Sequence, residues 1–446
     1  MDEKSKQQTT IGLTIGVFLA AMEGTIVATA MPRVIMDLGG EHLYALPFSM
    51  YLLTMTISSP LWGKLSDIFG RRRIYTIGVL IFLIGSAGCG FSSSMHTLIV
   101  MRIIQGIGAG SMAPLTFTIN ADMYEVQKRA KMQGYMSAVW GFSGLVGPIL
   151  GGFIVDWIHW RYIFYLNIPF GIIALTMVYI HYRDHIENSA FRLNIPGVIL
   201  FTLSVGSLVI GLEEMKPGLI ILGVLGMAIS WFLDTRHPAP LLPVVSLRIK
   251  IPRTAIIQNT LAGMGYFGIL AFLPLYVQRV EDQGATTAGL VLTPMIVGWT
   301  ITSIIGGRLL NRVQLVHLTR IGFSFLVLGF CAFMLFYDYA IIYLSMAGLM
   351  VGSGMGFSML GTLLLTQEYS SQSELGSSTS SVMFARTIGG SIGVSILSAI
   401  VSDRLTSSIP QLQIAFWFAY LACLIFAVTA FILSWTISQN TSNSKE

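Results

Sequence analysis

Residues 63–73 read Gly63-Lys64-Leu65-Ser66-Asp67-Ile68-Phe69-Gly70-Arg71-Arg72-Arg73, a short polar stretch wedged between a long apolar segment that ends at Trp62 and another that begins at Ile74. Three consecutive arginines after an apolar run are what any cytoplasmic turn between membrane helices would carry under the positive-inside rule. The glycines and the acid ask for more. Gly63 and Gly70 at a fixed interval permit close approach of helices, and Asp67 between them sets a negative charge beside the basic cluster.

Composition points the same way. The 446 residues are 54% hydrophobic and 11% charged, with a mean hydropathy of +0.73. Such a chain has too few polar side chains to cover the about three soluble domains its length would otherwise suggest, so its solvent is lipid. The net charge of +5 comes from basic residues scattered through short loops rather than gathered on one face, which argues against a nucleic-acid partner. Cys89, Cys331 and Cys423 all sit in apolar stretches, with neither a disulfide framework nor a metal-ligand spacing. After about ten polar residues the N-terminus runs into a long span with no small-residue cleavage site, so it reads as a retained first helix.

Runs of about twenty apolar residues fall near residues 11–36, 44–62, 74–92, 97–119, 134–157 and 162–181, and again near 254–277, 286–306, 321–337, 341–366, 378–400 and 413–437. Between these sets lie Pro196–Leu212 and Gly218–Leu233, joined by Glu213-Glu214-Met215-Lys216-Pro217. A reentrant or cytoplasmic hairpin is the alternative, but their near absence of charge favours spanning. The expectation is fourteen helices. With the N-terminus inside, the cytoplasmic loops collect sixteen basic residues from Lys64 to Arg320, while the outer loops hold Arg161, Lys216, Arg279 and Arg404, with Arg33 near an outer helix end. An even insertion between the halves preserves that asymmetry, and an odd one would invert half of it.

The Gly63–Arg73 stretch resembles the signature between the second and third helices of the major facilitator superfamily. Other signatures of that family follow in order. Leu98–Gly110 resembles the helix 4 segment that carries an intramembrane arginine, here Arg102. Gly141-Phe142-Ser143-Gly144-Leu145-Val146-Gly147-Pro148-Ile149-Leu150-Gly151-Gly152 resembles the motif of its antiporters. Trp160–Gly171 and Met22–Pro32 are similar to stretches of the fourteen-helix drug/proton antiporter subfamily, although Glu23 stands where that subfamily usually has Asp and Ala28 where it has an amide. Leu273–Gln278, Ala288–Leu290 and Arg386–Gly390 fit as well, and Gly307–Arg312 is a degraded copy of the first loop. The resemblance implies an all-α integral membrane protein with the major facilitator fold: two six-helix bundles, residues 1–182 and 254–446, and a linker, 183–253, carrying two additional helices, with a gate at Gly63, Asp67, Gly70, Arg71 and Arg72. It also implies a multi-pass protein of the cell membrane with both termini cytoplasmic, working as a monomer among membrane lipids.

Glu23 is the only carboxylate near the middle of any span. A charge there is costly, so Glu23 is expected to face a water-filled cavity where it can take and release a proton, or to be locked in a pair with Arg102. An unpaired Arg102 would cost at least about 3 kcal/mol, so it should reach a carboxylate, backbone carbonyls or water. Arg386 is the other deep charge, placed either in the substrate cavity or clamped on carbonyls. Tyr51, Met55, Trp140, Phe142, Tyr266, Phe267, Trp299 and Phe357 lie on spans that would line such a cavity and suit flat, lipophilic ligands; the alternative for each is lipid or a neighbouring helix. His181 and His185 share a helical face without a third ligand, so no metal site is expected. No Walker loop, nucleophile elbow or soluble pair of catalytic carboxylates is present, so neither enzyme chemistry nor a cofactor is expected. The function that follows from the resemblance is proton-coupled export of amphipathic, cationic or zwitterionic small molecules by alternating access, with Glu23 and Arg102 in coupling. An exporter of a natural metabolite (amino acid, peptide or siderophore), an importer and a non-transporting membrane sensor of the same fold remain open at this point.

Overall fold

The structure, a computed structural model, describes residues 2–124, 126–183, 195–236, 249–309, 312–337, 339–369, 375–405 and 407–437. Among these residues the chain is helical nearly throughout, with no strand. Lipid offers no partner for backbone N–H and C=O groups, and a helix satisfies them within the segment. The helices are α1 (Glu3–Leu38), α2 (Leu46–Phe69), α3 (Arg71–Phe91), α4 (Met95–Met123), α5 (Val126–Trp157), α6 (Asn167–His181, preceded by the single turn Tyr162–Tyr165), α7 (Ile195–Glu213), α8 (Pro217–Asp234), α9 (Lys250–Arg279), α10 (Ala285–Leu309), α11 (Leu315–Phe336), α12 (Ile341–Glu368), α13 (Leu375–Val401) and α14 (Ile409–Trp435). These fourteen agree in number and order with the hydropathy reading. Among the described residues eleven helices are long and apolar enough to cross a membrane, and Gly141–Trp157 and Ile199–Leu212 are shorter apolar stretches.

The polar stretch at residues 63–73 is not a loop. Gly70 alone separates α2 from α3, at φ +91°, a conformation that strains any residue with a Cβ. Its N–H donates to the Ser66 carbonyl at 3.1 Å and its own carbonyl accepts from Ile74 N at 3.2 Å. The three arginines therefore form the first turn of α3, where the helix dipole opposes positive charge, and two of them have partners elsewhere. Arg71 pairs with Asp122 at the end of α4 and donates to the Thr118 carbonyl at 3.2 Å. The Arg72 guanidinium lies 5.3 Å from the centre of the Tyr179 ring.

Contacts group the chain into two compact units: residues 1–241 with 273–290, and residues 242–272 with 291–446. Sequence divided the chain at 182 and 253 by order along it; contacts gather α7, α8 and the α9–α10 turn with the first unit. In that unit α1 packs on α5 and α6, α2 and α3 pack on α4, and α7 packs on α8. In the second, α11 packs on α12 and α14. The apolar stretch of α1 is 72% buried and that of α8 only 17%, so α1 is a core helix and α8 a peripheral one. Ile221, Leu222, Leu225, Ile229 and Phe232 of α8 are exposed, an apolar face suited to lipid and not to water.

The α7–α8 connection is a tight hairpin. Met215 turns at φ +51°, Lys216 N donates to the Gly211 carbonyl at 2.9 Å, the Lys216 ammonium pairs with Glu214, and Pro217 opens α8 with a φ already set for a helix. Helices of 19 and 18 residues are about 28 Å long, close to the roughly 30 Å hydrocarbon thickness of a bilayer. A single cysteine introduced at the exposed Met215 should react with a membrane-impermeant maleimide added to the outside of intact cells. Labelling only in inverted vesicles would place the hairpin on the cytoplasmic face and reduce the spans to twelve.

Candidate functional site

Glu23 lies within the run Leu19–Thr29 of α1, where every residue but Gly24 is buried. Arg102 sits on α4, two turns from its start. The two side chains meet at 2.5 Å between Arg102 Nη1 and Glu23 Oε1, both fully buried. The same Nη1 donates to Gln105 Oε1 at 2.6 Å, from one turn further along the same helix face. Arg102 Nε donates to the Pro47 carbonyl at 3.0 Å, and the guanidinium lies over the Tyr51 ring, 4.0 Å from its centre. On the other carboxylate oxygen, Asn167 Nδ2, at the start of α6, donates to Glu23 Oε2 at 2.8 Å. Ser86 of α3 closes the set by accepting from Gln105 Nε2 at 2.6 Å and from Asn167 Nδ2 at 3.1 Å. Five helices thus converge on one charge pair. Arg102 Nη2 and Asn167 Oδ1 are buried without a hydrogen-bond partner, which leaves one donor and one acceptor unused inside the network.

This differs from the cavity setting expected for Glu23. The carboxylate has no solvent exposure because Arg102 pairs with it and covers it. Tyr51, expected to line a cavity, is fully buried beneath the guanidinium for the same reason.

The glycine-rich segment of α5 explains how α1 holds its position. A Cβ at Gly147 would run into Thr25 Oγ1 and one at Gly151 into Thr29 Oγ1 and Ile26, so only hydrogen fits there and the two helices touch along a turn adjoining Glu23. Both threonine hydroxyls turn back onto their own helix, to the Met22 carbonyl at 3.0 Å and the Ile26 carbonyl at 2.8 Å. Pro148 lies inside α5, Gly144 is buried beside it, and Gly152 meets the backbone of Ala285.

One turn beyond, Asp156 accepts from Ala285 N at 2.9 Å, from Thr286 N at 2.7 Å and from Thr286 Oγ1 at 2.6 Å. It caps the N-terminus of α10, where the dipole favours an anion. The sequence reading did not single out Asp156, and it quoted Gln105 and Asn167 only as members of longer stretches.

The second unit gathers four of the expected residues. Tyr266 is edge-on to Trp299 at 4.9 Å and to Phe267 at 5.4 Å between ring centres. The Arg386 guanidinium lies 5.2 Å from the centre of the Trp299 ring, its Nη1 points at the Met359 sulfur, and its Nε is buried without a hydrogen-bond partner. Phe357 is buried and tilted against Phe325. In the first unit Met55 is partly exposed and Phe142 is 58% exposed, so neither joins the Glu23 network. The side chains of Asp67 and Trp140, and His185, lie outside the described residues.

Truncating one partner of a buried ion pair leaves the other charge uncompensated, at about 3–5 kcal/mol. Arg102→Leu should therefore lower the unfolding temperature of purified protein in detergent by several degrees, and Glu23→Leu added to it should recover at least half of the loss. Additive losses would show that the two charges do not stabilise each other.

The sequence profile of the Major Facilitator Superfamily matches residues 13–394. The chain is 33% identical over 404 residues to "Multidrug transporter protein MdtP" of Bacillus subtilis (strain 168), covering 88% of this chain and 75% of that one. It is 32% identical over 414 residues to "Multidrug resistance protein 3" of the same organism, covering 90% and 80%. Among solved structures, the D-xylose-proton symporter superposes with a TM-score of 0.71 at 15% identity, covering 98% of this chain and 99% of that one, a likeness of fold. The shared profile, the fourteen helices and the intramembrane charge pair agree: this chain is a multi-pass membrane transporter, not an enzyme, and belongs to the Major Facilitator Superfamily.

Proposed function

We propose that the chain is a proton-coupled antiporter of the cell membrane that exports amphipathic, cationic or zwitterionic drugs by alternating access. The names of its relatives support drugs as the cargo. The observation that carries the coupling is the set of partners around Arg102. If Glu23 takes a proton, Arg102 keeps the Pro47 carbonyl, Gln105 Oε1 and the Tyr51 face, none of which titrates near neutral pH. The guanidinium thus has a ready alternative seat, and Glu23 is the one group of the network that exchanges a proton. Protonation leaves its Oε2 able to keep the Asn167 bond while the ion pair to Nη1 is lost. A substrate cation and a proton then act on one carboxylate in turn, which is the logic of exchange.

Both termini are placed in the cytoplasm, and the turn at Gly70 with Gly63, Asp67, Arg71 and Arg72 forms the cytoplasmic gate. Arg71 is already engaged by Asp122 within its own unit, so the gate is built around Asp67, which would hold the cytoplasmic side shut through an arginine or a helix N-terminus and release it on opening. The protein works as a monomer.

Drug uptake into inverted vesicles under an imposed pH gradient tests the coupling. Glu23→Gln keeps the shape and the Asn167 bond but loses the titration, so uptake should fall to the background of vesicles lacking the protein. Glu23→Asp, which shortens the reach to Arg102, should retain part of the activity with a displaced pH optimum. Wild-type rates from Glu23→Gln would assign coupling elsewhere. Asp67→Asn should slow uptake at least tenfold while equilibrium drug binding stays within about twofold, a split that a binding role for Asp67 would not give.

A further inference from the structure

Arg386 presents a charge problem that its own unit does not solve. It lies in the interior of α13, 11 residues after Leu375 and 15 before Val401. The second unit contains five acids, Asp338, Glu368, Glu374, Asp403 and Glu446. Among the described residues Glu368 closes α12 and Asp403 follows α13. At 1.5 Å per residue, Asp403 is about 25 Å from Arg386 along the axis. Among the described residues no carboxylate forms an ion pair with it. An arginine stays charged at any accessible pH, and an uncompensated one inside a bilayer costs at least about 3 kcal/mol.

What surrounds the guanidinium is a partial solution that leaves one donor unmet. The Trp299 face and the Met359 sulfur are soft, neutral partners, and a ring face offsets roughly 0.5–2 kcal/mol of a buried cation. Nε remains a buried donor with no acceptor. The edge of a guanidinium that includes Nε is one of the two that grip a carboxylate through paired hydrogen bonds. Arg386, Trp299, Phe267 and Met359 are each partly exposed while Tyr266 behind them is buried. The group is therefore a wall with a charged donor set into it, with flat aromatic surface alongside.

We infer that Arg386 is a carboxylate subsite, so that the preferred cargo is an amphiphile bearing a carboxylate on a flat apolar body, with the body against Trp299 and Phe267. The inference rests on the efflux reading above and narrows its substrate class: among amphipathic drugs, zwitterions and acids are bound better than the same molecules without the acid. Arg102 cannot serve in its place, because its guanidinium is committed to Glu23.

The test uses one arylpiperazine carboxylic acid and its methyl ester, labelled with tritium, and equilibrium binding to purified full-length protein at neutral pH. Wild type should bind the acid at least tenfold more tightly than the ester. Arg386→Gln should bring the acid-to-ester ratio to about one. Arg386→Lys, which keeps charge but loses the two-pronged edge, should leave an intermediate ratio, and it serves in its own right if the glutamine variant does not fold. Equal affinities in wild type, or a preference that survives in both variants, would overturn the inference while leaving efflux intact, provided the ester is bound and transported. Failure of wild type to bind either compound would remove the efflux reading and the subsite together.

Discussion

A carboxylate in the middle of a helix dissolved in lipid constrains everything near it. Glu23 is fully buried, so its charge is tolerable only with a cation and hydrogen-bond donors on both oxygens. Arg102 supplies the cation and Asn167 the second donor. Each of these then has demands of its own: the guanidinium has donors beyond the one spent on Glu23, met by the Pro47 carbonyl and Gln105, and the amide of Gln105 is met by Ser86. Satisfying one charge thereby fixes the start of α2, the middle of α3 and α4 and the start of α6 relative to α1. The α1–α5 seam completes the arrangement from the other side, because Gly147 and Gly151 let α5 lie against Thr25 and Thr29 without a side chain between them.

Much of this was legible in the sequence, for identifiable reasons. Fourteen helices follow from apolar run length, a constraint imposed by bilayer thickness and not by tertiary detail. Gly70 reads in the sequence as a site of close helix approach, whereas its φ of +91° makes it the turn itself. Arg102 was legible as a residue needing a carboxylate, backbone carbonyls or water, with a Glu23 pair the alternative to a water-filled cavity; the fold gives it both a carboxylate and a carbonyl. Where the arginines of residues 71–73 sit was read less well. A polar stretch between apolar runs suggests a loop, yet one glycine suffices to turn the chain, so the basic cluster falls within a helix and takes partners from the end of α4 and from α6.

The amides and the second acid of the first unit were not legible. Asn167 meets Glu23 across 144 positions of sequence, and nothing in the chain marks one asparagine at a helix start as different from another until the fold brings it there. Asp156 lies among apolar residues at the end of α5, which reads as an ordinary interfacial acid; only the position of Ala285 and Thr286 makes it a helix cap. Tyr51 was misplaced by a general rule. Aromatic residues on central spans suit a drug-binding surface, but a buried guanidinium also seeks a ring face, and that closer demand took Tyr51 out of reach.

The two units handle interior charge differently, and the difference bears on exchange. In the first, Glu23 and Arg102 sum to zero and are sealed. In the second, Arg386 stands as a single positive charge on a partly exposed wall. With Glu23 ionised, Glu23, Arg102 and Arg386 together carry a net charge of +1; a proton on Glu23 raises it to +2. In a medium of low dielectric such a change is felt over distances that water and salt would screen. Proton uptake then disfavours a bound cation even where the cation does not touch Glu23. Under the antiport proposed above, exchange of proton for cationic drug therefore can run through the charge of the interior as well as through one shared carboxylate: it requires that the interior hold few charges and that Glu23 take up the proton.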